Sequence, residues 1–174
     1  MKITIVRIIL VILILLNFIT IFGFSEQDGV QSGGLSRKVT LVILNVFGDY
    51  NEPLSEEQEV QVENVQHVIR KLAHFTIYAI LGLLLMSLAE TFDFTNKKRI
   101  ILSLLVGILY ASLDEFHQSF IPGRTAAVTD VLIDTAGVIT GILFIFLVLK
   151  IIQSKRKKKK TNKVNKDKEK VLDA

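Results

Sequence analysis

The sequence predicts an all-α integral membrane bundle of four transmembrane helices with an outer amphipathic segment. Half of the 174 residues are hydrophobic, and the mean hydropathy is +0.47. The apolar residues occur in long blocks separated by charged stretches, which is typical of membrane proteins. If four blocks span the membrane, most of the lysines and arginines fall on one side of it. Blocks and charges together therefore predict a small multi-pass bundle.

Four apolar blocks are predicted to cross the membrane. The first follows Lys2 and Arg7, as a signal peptide would, but residues 23–26 do not resemble a cleavage site, so we expect an uncleaved span. The apolar part of the third covers only residues 100–113, whereas a hydrocarbon core of ~30 Å requires about 20 residues. That helix is therefore expected to continue through Asp114 and Gln118. The predicted spans are residues 8–24, 72–89, 100–121 and 128–149.

The charge distribution predicts the orientation of the chain. Residues 155–174 hold ten of the 21 Lys and Arg and three of the 17 Asp and Glu, so the remainder carries 11 − 14 = −3. Because basic residues stay in the cytoplasm, both termini are expected there, in the cell membrane of a bacterium. Residues 1–152 form the predicted membrane domain and residues 153–174 a disordered basic cytoplasmic tail. Beside a span, such a tail meets anionic lipid, so no nucleic-acid partner is predicted.

The segment between the first two spans is predicted to lie outside, and it contains eight Asp and Glu between residues 25 and 69. Ser55–Gln58 has the form of a capping box, and a helix that starts there would run straight into the second span. Gly48 and Pro53 interrupt the chain before it. An amphipathic helix on the outer interface is predicted over residues 35–50 from the spacing of Leu35, Val39, Val42, Val46 and Tyr50.

Three spans carry an ionisable residue at a similar depth. At 1.5 Å per residue, His74 lies about 24 Å from Glu90, and Asp134 lies about 24 Å from Lys150. Asp114 lies about 22 Å from Arg99. Ionisable side chains within spans are costly and default to a functional hypothesis. The three are therefore expected to converge in the outer leaflet.

Neighbouring residues extend this set. Asp114 and Gln118 share a helix face, as do Asp130 and Asp134, and Gly137 and Gly141 allow close approach of another helix. The alternative is structural, because Arg70, Lys71 or Arg124 could simply neutralise the carboxylates. On the second span, one face carries Lys71, His74 and Tyr78.

The absence of cysteine excludes disulfides, thiolate nucleophiles and cysteine-based zinc sites. His74, Asp114, Glu115 and His117 carry groups that ligate divalent metals. No H-x₃-H or HExxH pattern is present, so no metal site is predicted. The sequence identifies no cofactor.

The linked motifs resemble those of the VanZ-like family of small membrane proteins, over roughly residues 70–141. The resemblance implies a role in the cell envelope, and the family is named for low-level resistance to the glycopeptide teicoplanin. The matching motifs are Arg70-Lys71-x₂-His74-x₃-Tyr78, Asp114-Glu115-x₂-Gln118-Ser119-Phe120, Pro122-Gly123-Arg124 and Asp130-x₃-Asp134-x₂-Gly137-x₃-Gly141.

Three functions stay open. The first is binding or modification of a lipid-linked, phosphate-bearing molecule in the outer leaflet, such as a cell-wall precursor; membrane lipids or a glycopeptide are further partner candidates. Catalytic candidates are His74, Asp114 and Glu115. The second function is a non-catalytic scaffold or docking module, and the weakest is an ion-coupled carrier. Binding candidates are Lys71, Tyr78, Gln118, Arg124, Asp130 and Asp134.

Overall fold

The described residues form five α-helices and contain no strand. A computed structural model describes residues 2–26, 29–51, 53–122 and 127–172. The all-helical fold class predicted from the sequence is confirmed. The helices are α1 (Lys2–Ser25), α2 (Gly29–Leu44), α3 (Glu56–Glu90), α4 (Asn96–Gln118) and α5 (Val128–Leu172).

Four of these helices are long and apolar enough to cross a membrane. Their outward surfaces carry large hydrophobic side chains, including Ile19 on α1 and Leu109 on α4, which are 67% and 62% exposed. In water such a surface would be unfavourable, whereas lipid tails match it. The candidate spans are Ile3–Ser25, Glu56–Glu90, Asn96–Gln118 and Val128–Ile152.

Side-chain caps define the starts of α3 and α4. Ser55 accepts a hydrogen bond from the backbone N–H of Gln58, and the Gln58 side chain accepts one from the backbone N–H of Ser55. This is the predicted capping box, and α3 runs from it into the second span without a break. Thr95 caps α4 through the N–H of Lys98. Helix α4 therefore starts at Asn96 and ends at Gln118, whereas the span over residues 100–121 stays a prediction.

The helix between the first two candidate spans, α2, differs in its bounds from the predicted amphipathic helix. It begins at Gly29 and ends at Leu44, and a turn follows in which the Asn45 side chain accepts a hydrogen bond from the Tyr50 N–H at 2.7 Å. Residues 45–50 were predicted to be helical, but they form a turn that the Asn45 carboxamide stabilises. Tyr50 instead donates to Gln61 on α3.

The backbone of α5 is helical to Leu172, past residue 153, where the sequence predicts a disordered tail. Lysine and glutamate favour helix locally, but an isolated helical extension without tertiary packing is marginal in water. The boundary at residue 153 and the disorder of the tail therefore stay predictions.

The most extensive packing joins α3 to α5, along a strip that we call the glycine seam (Gly82, Gly137, Val138 and Gly141). A Cβ added at Gly141 would come far inside van der Waals contact with the Ala79 carbonyl, and one at Gly82 with the Val138 carbonyl. The seam therefore brings the two helix backbones together, as the small-xxx-small spacing predicts. On α4, Gly107 leaves the space that the Val138 side chain fills.

Candidate functional site

Polar side chains from α3, α4 and α5 meet at one end of the glycine seam. On α3, His67, Lys71, His74 and Tyr78 recur at spacings of three and four and so share one face. Asp114 of α4 and Asp134 of α5 are buried opposite them. We call His74, Tyr78, Asp114, Gln118 and Asp134 the polar cluster.

The Asp114 carboxylate is at the centre of a hydrogen-bond network. The fully buried Tyr78 donates its hydroxyl to Asp114 Oδ2 at 3.0 Å. Gln118 Nε2, one turn further along α4, donates to the same oxygen at 3.1 Å. Two donors on one oxygen fix the rotamer of this carboxylate and stabilise it in a dry environment.

Asp130 and Asp134 lie one turn apart on α5 and meet different residues of α3. Lys71 Nζ lies 3.2 Å from Asp130 Oδ1, and both side chains are about one-third exposed. His74 Nδ1 lies 3.5 Å from Asp134 Oδ1, whose side chain is 1% exposed. The sequence analysis gave charge neutralisation by Arg70, Lys71 or Arg124 as the structural alternative. Lys71 neutralises Asp130 in this way, but it does not pair with the other described carboxylates.

Glu115 and His117 take up separate positions. Glu115 is 5% exposed, and its Oε1 accepts a hydrogen bond from the Ala127 backbone N–H at 2.7 Å. That bond ties α4 to the start of α5. His117 packs its ring against Phe22 of α1, with centroids 4.8 Å apart. Of the four residues whose side chains could ligate a metal, His74 and Asp114 therefore lie close together, whereas His117 packs on α1.

A small polar cavity of about 30 Å³ opens between the three helices. This volume holds about two water molecules, so the cavity suits a small polar group or an ion. Its lining comprises His67, Arg70, Lys71, His74, Gln118, Asp130, Ile133 and Asp134.

An apolar cavity of about 210 Å³ lies beside it, between α1, α2 and α3. Leu35 and Val39 of α2 line this cavity together with Ile77 of α3. The two cavities share Arg70 and His74 in their walls. An apolar volume therefore adjoins a charged one, which is the arrangement that an amphiphile requires.

An ion pair holds α2 against α3. Both terminal nitrogens of Arg37 donate to the Glu59 carboxylate at 2.8 Å. Gln66 also donates to Ser36 Oγ at 3.0 Å. These contacts turn the polar side of α2, with the buried Ser36 and Thr40, toward α3 and leave Val42 and Val46 exposed.

The structure brings together the predicted site residues that it describes, apart from Glu115, which lies beside them and bonds to the Ala127 backbone; the roles of all of them stay predictions. Arg124 lies outside the described residues, as does Gly123. Sequence reasoning missed His67 as a lining residue and the apolar cavity as a whole. His67 could have been found by extending the face of Lys71 and His74 back by one helical turn.

His74, Asp114 and Asp134 have the chemistry to hold a cation, and a ligand atom of each lies within 4.8 Å of the others. The sequence predicted no metal site, because residues from three different helices leave no local motif.

A family model described as VanZ/LLP1 matches residues 9–150, and the chain belongs to this family of membrane proteins. No match to the chain is found among the curated proteins or the solved structures.

Proposed function

We propose that this member of the VanZ/LLP1 family binds a lipid-linked, phosphate-bearing molecule at the outer leaflet of the cell membrane. The observation that carries the proposal is that Arg70 and His74 line both the polar and the apolar cavity. A ligand with a charged head and a hydrocarbon chain would fill both at once. Its phosphate would lie at the mouth of the polar cavity and one chain in the apolar cavity.

The basic residues of α3 supply the charge for the head group. Arg70 and His67 also line a third, more open pocket with Arg37 of α2. A guanidinium pairs with phosphate through two parallel hydrogen bonds, which makes Arg70 the proposed main contact. Lys71 contributes less, because its amine is paired with Asp130. Arg124 is proposed as a further contact on the sequence motif alone.

Lipid mass spectrometry of the purified protein tests this function. We expect a phosphate-bearing lipid to be enriched at least tenfold over bulk membrane lipid in the wild type. Arg70→Gln should reduce that enrichment at least fivefold. Arg99→Gln is the matched control, since Arg99 pairs with Glu90 at 2.9 Å near the opposite end of α3 and should retain the lipid.

A second variant tests the apolar cavity separately. Ala73 lines it, so Ala73→Phe would occupy the space of the hydrocarbon chain while leaving every charge in place. Loss of the lipid in both Arg70→Gln and Ala73→Phe supports one amphiphile that spans both cavities. If the wild type shows no enrichment, the polar cluster is structural and the scaffold or docking module becomes the better function.

The outer position rests on the distribution of lysine and arginine, which also assigns both termini to the cytoplasm. Reporter fusions after Asn51 and after Ser154 should then report opposite sides of the membrane. Reports from the same side would overturn the orientation.

The cellular role that we propose is in the envelope. The phenotype to measure is the inhibitory concentration of teicoplanin in a deletion strain that carries either the wild-type protein or Arg70→Gln.

Binding need not be passive. If the bound molecule is also modified, His74, Asp114 and Glu115 are the groups that could transfer protons, because all three lie within or beside the polar cluster. The Tyr78 and Gln118 hydrogen bonds to Asp114 would then hold the carboxylate in position.

A further inference from the structure

We propose that His74, Asp114 and Asp134 form a binding site for a divalent transition-metal ion. Three different helices supply the three side chains, and one ligand atom from each lies within 4.8 Å of the other two. The two carboxylates are almost completely buried, at 6% exposure for Asp114 and 1% for Asp134. The site stands on this geometry and does not depend on the proposed lipid.

Asp134 is the independent observation that points to a cation. Neither of its oxygens accepts a hydrogen bond from the residues that the structure describes. His74 Nδ1, at 3.5 Å, is too distant for a strong hydrogen bond. A carboxylate that is 1% exposed and approached only at 3.5 Å by His74 is poorly stabilised, and direct coordination of a cation would remove that cost.

The surrounding groups fit an ion with two positive charges. A neutral imidazole and two carboxylates together carry a charge of about −2, which one divalent ion balances. Lys71 is already paired with Asp130, and Glu115 accepts a backbone N–H. A neutralised cluster would also cease to repel the phosphate that we propose at the same cavity.

Hydrogen bonds around Asp114 have the form expected of residues that support a metal ligand. Tyr78 and Gln118 both donate to Oδ2 of this carboxylate. Partners of this kind orient ligating carboxylates in known metal sites. Tyr78 is fully buried, which keeps that orientation rigid.

The set of donors indicates the class of ion. One nitrogen and two oxygens suit Zn²⁺ or Mn²⁺, whereas Ca²⁺ and Mg²⁺ prefer oxygen alone. Ligand atoms of a tetrahedral zinc site lie about 3.4 Å apart, so side-chain movements of about 1 Å would close the site. Three protein ligands leave a position for water or a phosphate oxygen on the side of the polar cavity, which His74 and Asp134 line.

Metal titration of the full chain tests the site. Protein purified in detergent is stripped with EDTA, supplied with ZnCl₂, MnCl₂ or MgCl₂, desalted and assayed for bound metal by mass spectrometry. We expect about one Zn²⁺ or Mn²⁺ per chain, together with a higher Tm. Asp134→Asn and His74→Gln should each weaken binding at least tenfold.

Glu90→Gln is the matched control, because it removes one carboxylate charge near the opposite end of α3, where Glu90 pairs with Arg99, and leaves all three ligands in place. It should bind the ion within about threefold of wild type. Equal losses in Glu90→Gln and Asp134→Asn would mean that binding does not depend on the three proposed ligands, and would overturn the site. So would a wild type with less than one-tenth of an ion per chain, or one that binds only Mg²⁺. The number of metal ions bound per wild-type chain can overturn the proposal by itself, so the test remains decisive even if a variant fails to fold.

The two proposals fail separately. Metal binding is measured without added lipid, and lipid enrichment is measured without added metal. Retention of metal with no enriched lipid would leave the metal site standing and remove the proposed lipid. The reverse result would leave the lipid and remove the ion.

Discussion

Helices α3 and α5 pack in two contrasting ways within a few turns of each other. At the glycine seam the backbones touch, and an added Cβ at Gly141 has no space. At the polar cluster the same helices enclose charged side chains beside a cavity of about 30 Å³. The seam has only one arrangement that sterics permit, whereas the cluster contains carboxylates that its described partners do not fully satisfy. The seam therefore positions the helices, and the cluster holds the side chains for which we propose ligand binding.

The largest expected effect is at the seam. Gly141→Leu would push α5 away from the Ala79 carbonyl and should destabilise the fold by more than about 3 kcal/mol. The measurement is the fraction of monodisperse protein in detergent, together with its Tm. Gly23→Leu is the control, because a Cβ at Gly23 meets nothing within 4 Å. Equal losses from both variants would show that the seam does not control packing.

A smaller effect is expected inside the polar cluster. Tyr78→Phe removes a donor from the buried Asp114 carboxylate and should cost about 1–3 kcal/mol. Tyr110→Phe is the comparison, since the Tyr110 hydroxyl donates to the backbone carbonyl of Phe18 at 2.8 Å. Loss of that neutral bond should cost about 0.5–1.5 kcal/mol. If thermal unfolding finds Tyr110→Phe the more harmful change, Asp114 does not depend on Tyr78.

The smallest effect is expected near the far end of the seam. The Glu90–Arg99 pair is 2.9 Å long and joins the end of α3 to the start of α4. Glu90→Gln should change stability by only about 0–1 kcal/mol, because solvent still reaches both side chains, which are 21% and 15% exposed, and solvent-screened ion pairs contribute little. Lipid and metal content should stay at wild-type levels. A Tm decrease as large as that of Tyr78→Phe would remove the distinction between the two ends.

Helix arithmetic explains why the polar cluster could be predicted. A helix rises by a constant 1.5 Å per residue, so depth follows from sequence alone. His74, Asp114 and Asp134 were expected at one depth, and the structure brings them within 4.8 Å. The seam was half predicted, because Gly137 and Gly141 form a recognisable spacing whereas Gly82 stands alone on α3.

Rotation and docking of the helices could not be predicted in the same way. The apolar cavity depends on how α2 lies against α3, and Gln66, Ser36 and the Arg37–Glu59 pair determine that contact. These residues are distant in sequence and form no motif. Since Ser36 and Thr40 face α3, the apolar stripe of α2 is left for the cavity and the exterior, and the pattern of hydrophobic residues alone does not reveal this division.

The length of α3 has a consequence for how the protein responds to its bilayer. The helix has 35 residues, or about 52 Å at 1.5 Å per residue, against a hydrocarbon core of ~30 Å. If Glu90 marks one edge of the hydrocarbon core, Arg70 and Lys71 lie about 30 Å along the helix, at the opposite edge and next to the lipid phosphates. The thickness of the bilayer would then determine how far Arg70 and Lys71 lie from the plane of the lipid phosphates. In thicker or thinner membranes, tilt or local deformation of the lipid must restore that distance.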